Sequence, residues 1–186
     1  MCRRDRWREC EGMKLNRSAY RGAIIVHVAS SLAWLGLALC LLALGITTLT
    51  TTDPGMQYAA GRAAAMLATT IAVPIGALAL ASGVLLMLGT RWTVRYRWVL
   101  VKLLATAVIY TLTVFLLGPG LAETAEGLDP GRLALLDQGV VMGPIVSSST
   151  FIALTAISYI KPWGRIGAAT PKPAPRRRRA LADSAR

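Results

Sequence analysis

The sequence predicts an all-α polytopic membrane protein, with four transmembrane helices in an up-down bundle and both termini cytoplasmic. Three observations lead there. Of 186 residues, 54% are apolar, and the stretches 22–52, 63–90, 103–122 and 138–160 contain no charged side chain. Each reaches the roughly 20 residues, at about 1.5 Å rise, that cross a hydrocarbon core about 30 Å thick. None shows the polar face that a soluble helix repeats every turn.

Basic residues orient the bundle. Seven Lys/Arg precede the first helix, three lie within 90–97 and eight follow Ile160, whereas the other two loops hold only Arg62 and Arg132. An excess of Lys/Arg marks the cytoplasmic side. The organisation is therefore a basic tail over 1–21, a transmembrane domain over 22–160 with helices at 22–46, 63–88, 98–117 and 139–160, and a basic, Pro-rich, disordered cytoplasmic tail over 161–186. The first helix is too long for a signal-peptide core and no small-residue cleavage site follows it. Met13-Lys14-Leu15 reads as an alternative start to Met1. Arg outnumbers Lys by 17 to 4 in an Ala-rich chain, as in a GC-rich bacterial genome, and the expected location is the bacterial plasma (inner) membrane.

The net charge of +12 calls for no nucleic acid. Arg176 to Arg179 would meet anionic lipid at the cytoplasmic face, at about 1 kcal/mol per basic residue near the surface. A homo-oligomer or a membrane partner is expected through helix contacts. Trp92, Tyr96, Trp98, Tyr159 and Trp163 fall near cytoplasmic helix ends, the layer amphipathic rings prefer, and Trp34 alone is mid-helix. Asp53-Pro54-Gly55 and Asp129-Pro130-Gly131 are turn signals, expected where helices stop. Pro74 and Pro144 lie inside helices two and four, where kinks are expected. Gly76, Ala79 and Gly83 read as a helix-packing face. The chain shows no internal repeat of the kind that inverted-repeat transporters carry.

Chemistry has few places to sit. All nine carboxylates lie outside the predicted spans, which counts against proton- or sodium-coupled transport through buried acids and against paired-carboxylate catalysis. Glu123, Glu126, Asp129 and Asp137, with Arg132, read as a solvated loop rather than a cation site. Cys2, Cys10 and Cys40 form neither a disulfide framework nor a metal site. Two ionisable side chains remain inside the spans, His27 and Lys102, and such residues are functional candidates. His27, Ser30, Ser31 and Trp34 share one face of helix one, at i, i+3, i+4 and i+7. Lys102, Thr106, Tyr110 and Thr113 lie near one stripe of helix three, and helix four offers Ser147 to Thr150. This candidate intramembrane polar site serves either as packing or as chemistry. For His27 the choice is a cross-helix hydrogen bond or a ligand to haem b or copper. For Lys102 it is snorkelling or a cation for a carboxylate or phosphate.

Two stretches carry a resemblance: His27 to Gly36 (HVASSLAWLG), and Ser82-Gly83, Gly89-Thr90-Arg91-Trp92 and Trp98 to Lys102 across the middle loop. They resemble a family of bacterial integral membrane proteins known as domain of unknown function 2269, over about residues 15–160. A looser likeness runs to the copper-resistance D-type membrane proteins, through the helix-one His and Trp-Leu-Gly. Another runs to the four-helix protoporphyrinogen oxidases, whose helix-one His and post-loop Lys correspond to His27 and Lys102. The last likeness implies haem binding and porphyrin oxidation; the chain departs from it in having one histidine and an unrelated helix four. Three readings of function follow: a structural or accessory membrane protein acting through helix contacts, a haem- or copper-handling redox protein, and a small-solute transporter or channel.

Overall fold

A computed structural model describes residues 17–89 and 97–160. These residues form four long helices: α1 (Ser18–Thr50), α2 (Pro54–Gly89), α3 (Trp98–Glu126) and α4 (Gly139–Ile160). All four are long and apolar enough to cross a membrane, and no strand occurs among the described residues. Chain order alternates their direction, so Ser18, Gly89, Trp98 and Ile160 share one end, here called proximal, and Thr50, Pro54, Glu126 and Gly139 the distal end. Trp92, Tyr96, Trp163, Cys2, Cys10 and the Arg176 to Arg179 run lie outside the described residues.

The first three helices extend past the bounds expected for them, α1 at both ends and α2 and α3 mainly at the distal end. In α1, Thr47, Thr48 and Thr50 donate their hydroxyls back to the carbonyls of Ala43, Leu44 and Ile46 at 2.7–2.9 Å. Those bonds keep polar residues comfortable in a helix that hydropathy alone would end. Asp53-Pro54-Gly55 starts α2 rather than stopping α1. Asp53 is the N-cap, its carboxylate accepting from the Gly55 amide at 3.0 Å, and Pro54 takes the first helical position, where its missing N–H costs nothing. Asp129 does form the expected turn, accepting from the Gly131 amide at 2.7 Å.

Two prolines are absorbed by a change of helical register. Leu67–Ala72 in α2 and Thr113–Leu117 in α3 wind as π turns, each ending two residues before a proline, Pro74 and Pro119. A proline ring collides with the carbonyl four residues back. Here those carbonyls belong to Thr70 and Phe115, both inside the wider turns, which move them aside. The two π turns touch: a Cβ on Gly118 would lie 3.3 Å from the Thr113 carbonyl oxygen and 3.8 Å from Thr69 Cγ2. In α4, Pro144 leaves the Val140 carbonyl without its in-helix amide. That oxygen faces Gly45 of α1, whose missing side chain allows the approach.

The core has two clusters. Leu37, Leu41, Ala64, Ala68, Leu121 and Val140 pack the distal half; Trp34, Ala38, Ala79, Ile109 and Phe151 pack the middle. The α1–α2 seam is the tightest contact. Gly76 sits under the rings of Trp34 and Tyr110, each 2.9 Å from where its Cβ would be, and Gly83 sits under His27 at 3.0 Å. The Gly76/Ala79/Gly83 face is thus occupied by large side chains of α1 and α3. At the distal end, buried Gln57 ties three segments together. Its Nε2 donates to the carbonyls of Thr48 (3.1 Å) and Ala134 (3.0 Å), and its Oε1 accepts from the Ala134 amide (2.8 Å). Replacing Gln57 by Leu leaves those backbone groups unpaired, and we expect a loss of about 2–4 kcal/mol, read as a lower unfolding temperature in detergent.

Candidate functional site

Because the proximal half of α3 packs loosely against α2 and α4, a cavity of about 330 Å³ opens among all four helices. Its walls are mainly apolar, with Leu35, Leu80, Leu103 and Leu154 among them. His27, Ser31, Trp34, Lys102 and Thr106 also line it, so five of the seven residues picked from the sequence meet in one place. Ser30 and Tyr110 do not. Ser30 is buried and donates to the carbonyl of His27 one turn back at 3.2 Å. Tyr110 packs its ring edge-on to Trp34, with centroids 6.2 Å apart.

His27 is held by α2. Its Nδ1 lies 3.0 Å from the Ala79 carbonyl oxygen and 3.1 Å from Ser82 Oγ. A carbonyl only accepts. The Ser82 hydroxyl proton is committed to the Leu78 carbonyl at 2.6 Å, with the Ala79 carbonyl next at 3.1 Å. Nδ1 therefore donates to both, which leaves the neutral ring with its lone pair on Nε2. Nε2 has no hydrogen-bond partner, and no buried side-chain nitrogen or oxygen among the described residues lacks one, so Nε2 is accessible.

Lys102 donates from Nζ to the hydroxyl of Ser158 on α4, and Ser158 in turn donates to the Leu154 carbonyl at 3.1 Å. One of three ammonium protons is thus used. Ser158 was invisible to sequence reasoning, being 56 residues from Lys102 and apart from the Ser147 to Thr150 run of its own helix. The Ser147 to Thr150 run divides. Ser147 and Ser148 are buried, Ser148 bonding the Pro144 carbonyl at 2.7 Å, while Ser149 is exposed and Thr150 bonds the Val146 carbonyl. Ser31, Thr106 and Ser147 make no side-chain hydrogen bond among the described residues.

The donor set fits one kind of metal centre better than another. No group of three or more His, Cys, Asp or Glu converges among the described residues, and the lone described cysteine, Cys40, is exposed. A closed copper site is therefore poorly matched. An axial ligand to a porphyrin needs only a positioned imidazole whose outer nitrogen is unprotonated and whose inner N–H is bonded to a carbonyl, and His27 meets that description.

No family model, no curated protein and no solved structure matches this chain. The class is accordingly defined by the fold and site alone: a helical bundle with four candidate membrane spans and a polar-edged cavity in its proximal half.

His27 is the single histidine, so nitrogen NMR of the imidazole-labelled protein reports it without assignment. We expect a protonated Nδ1 and an unprotonated Nε2 in the neutral ring. Ser82→Ala should preserve that tautomer, because the Ala79 carbonyl remains.

Proposed function

We propose that the protein resides in a bacterial plasma membrane, proximal end cytoplasmic, and binds there a small anionic amphiphile, an apolar body with one acidic head. The carrying observation is the cavity itself: apolar walls with Lys102, Ser31 and Thr106 on its lining and protons left to donate. Its volume lies at the lower end of the roughly 300–1,000 Å³ of small-molecule sites. The clustering of Lys/Arg before Ser18 and after Ile160 supports the orientation. A purely structural role through helix contacts, with a homo-oligomer or membrane partner, uses Lys102 for its bond to Ser158 and gives Ser31 and Thr106 nothing to do. Unused donors are expensive in an apolar layer.

The test is quenching of Trp34 and Trp98, which line the cavity, by a brominated alkyl sulfonate. Wild type should quench saturably. Lys102→Met should lose about 10- to 100-fold in affinity, the worth of a charge-assisted hydrogen bond, and Lys102→Arg should recover most of it. Unsaturable quenching, or equal affinity in Lys102→Met, would sink the reading. A phospholipid-free detergent preparation against one with added anionic lipid separates a free acid from a lipid headgroup as the natural source.

A second reading is favoured by one observation, the accessible lone pair of His27 Nε2. In it the ligand is haem b: His27 Nε2 would hold the iron, Lys102 would serve as cation for a propionate, and the bound iron would supply redox chemistry. Oxidised and dithionite-reduced visible spectra should then show a Soret band that His27→Ala abolishes. A colourless, metal-free protein leaves the amphiphile reading alone.

A further inference from the structure

A second cavity, about 520 Å³, lies between the distal half of α3 and the start of α4 and shares no lining residue with the proximal one. The two helices meet closely where Leu117 lies on Gly143, its Cδ1 2.6 Å from the absent Cβ, and their contact is otherwise slight. Leu112 and Leu116 of α3 and Met142 and Val146 of α4 line the cavity and are exposed on the outside of the bundle, so it opens sideways. Within a membrane that side is hydrocarbon.

Two polar groups stand at opposite ends of these apolar walls. Ser147, at the inner end, is 8% exposed, and its hydroxyl makes no hydrogen bond among the described residues. No buried side-chain oxygen among those residues lacks a partner, so this hydroxyl reaches cavity space. The adjoining void beside Trp34, about 10 Å³, presents no polar surface, which leaves the larger cavity as the space it faces. Asp137, at the mouth, lies two residues before α4. Its Oδ1 accepts from the Gln138 amide at 2.7 Å, and Oδ2 has no partner among the described residues. About 12 Å of helix rise separates Gly139, beside Asp137, from Ser147.

Charge selects what the mouth accepts. The distal face carries five carboxylates, Asp137 among them, against Arg62 and Arg132, and none is ion-paired among the described residues. Helix dipoles do not offset that excess, because two helices end and two begin at this face. A negative field in front of an apolar cavity draws and holds cations, the reverse of the proximal site with Lys102.

We infer that the distal cavity is a binding site for an amphiphilic amine. Its ammonium sits on the Asp137 carboxylate, its chain between α3 and α4, and a hydrogen-bond acceptor about 12 Å along that chain on Ser147. The ligand enters from the distal leaflet through the open side. The site is independent of the anionic ligand proposed for the proximal cavity.

The experiment is photolabelling of the full-length protein in detergent by hexadecylamine carrying a terminal diazirine, mapped by peptide mass spectrometry. Adducts should form on the 109–121 and 139–147 segments, and unlabelled hexadecylamine should suppress them saturably while hexadecanesulfonate does not. Asp137→Asn, which keeps an acceptor for the Gln138 amide, should weaken the competing amine about tenfold, and Asp137→Glu should retain most of its affinity. Met142→Trp fills the cavity from an exposed position and should abolish the adducts. A competitor with a keto group placed to reach Ser147 should bind about threefold tighter than hexadecylamine in wild type, and equally to it in Ser147→Ala. Native mass spectrometry separates the sources: a bound amine-headed phospholipid that Met142→Trp loses identifies a lipid headgroup, and a site empty on purification yet labelled identifies a free amine. Unsaturable adducts, or adducts that persist in Met142→Trp, overturn the site. Equal competition by the sulfonate, or no change in Asp137→Asn, overturns the amine. A keto competitor indifferent to Ser147→Ala overturns the role of Ser147.

Discussion

The close approach of α1 to α2 governs the rest of the structure. In an apolar surrounding there is no hydrophobic gain from pressing two helices together, so dispersion contact must do it, and that requires small residues on one side. Gly76, Ala79 and Gly83 provide them, and Trp34 and His27 fill the space they leave. The consequences run outward. Seating His27 on Gly83 brings its Nδ1 to the Ala79 carbonyl and fixes the tautomer. Seating Trp34 on Gly76 creates the surface to which Tyr110 and Phe151 pack. α3 packs on α2 at its distal end, where Leu121 and Ala125 meet Ala64, Ala65 and Ala68, and on the seam at mid-height through Tyr110 and Ile109. Its contact with α4 is slight and leaves cavities on that side.

Both ends of the bundle are built differently, and the difference is chemical. Distally, backbone groups are tied by side chains: Gln57 bridges two helices and the loop, and Asp53 caps α2. Leu128 closes over Gly61 so tightly that a Cβ there would come within 2.3 Å of Leu128 Cδ1. Proximally, single side chains bond across helices beside a cavity, His27 to α2 and Lys102 to Ser158 of α4.

The sequence made the helices legible and left their ends unreadable. Uncharged runs report transfer free energy, which sees residues one at a time, and four spans follow from them directly. Where a helix stops is settled instead by caps and by back-bonded hydroxyls, so α1 runs through Thr47 to Thr50 and α3 through Gly118-Pro119-Gly120 to Glu126. The same limitation affects the site. Periodicity put His27, Ser31, Trp34, Lys102 and Thr106 on inward stripes, and they do line one cavity. It could not separate Ser30, whose hydroxyl turns back to its own helix, from Ser31, which keeps its hydroxyl free. Ser158 and Gln57 went unnoticed, and Ser82 was noted only within a resemblance, because each acts across 50 residues or more, or across a loop, and nothing local marks them. The π turns had a signal after all. Each precedes a proline by two residues: Pro74, where a kink was expected, and Pro119, which the sequence reading placed beyond its third helix.

The distribution of unused polar groups is the ground on which a binding protein is proposed over a scaffold. Thr47, Thr48, Thr69, Thr111 and Thr150 all return their protons to carbonyls within their own helix, the cheapest way to hide a hydroxyl in an apolar medium. The chain therefore has a standard means of silencing such groups and applies it widely. Ser31, Thr106 and Ser147 are left out of it, His27 is satisfied at Nδ1 and open at Nε2, and Lys102 has a single acceptor. His27, Ser31, Lys102 and Thr106 line the proximal cavity, and Ser147 lines the distal one, of about 520 Å³, between the distal half of α3 and the start of α4. An unpaired donor in an apolar layer costs about 1–3 kcal/mol. A bundle needing only to pack would gain by replacing these side chains with Ala or Val. Their place on cavity walls supports the proposed ligands, which would return those hydrogen bonds.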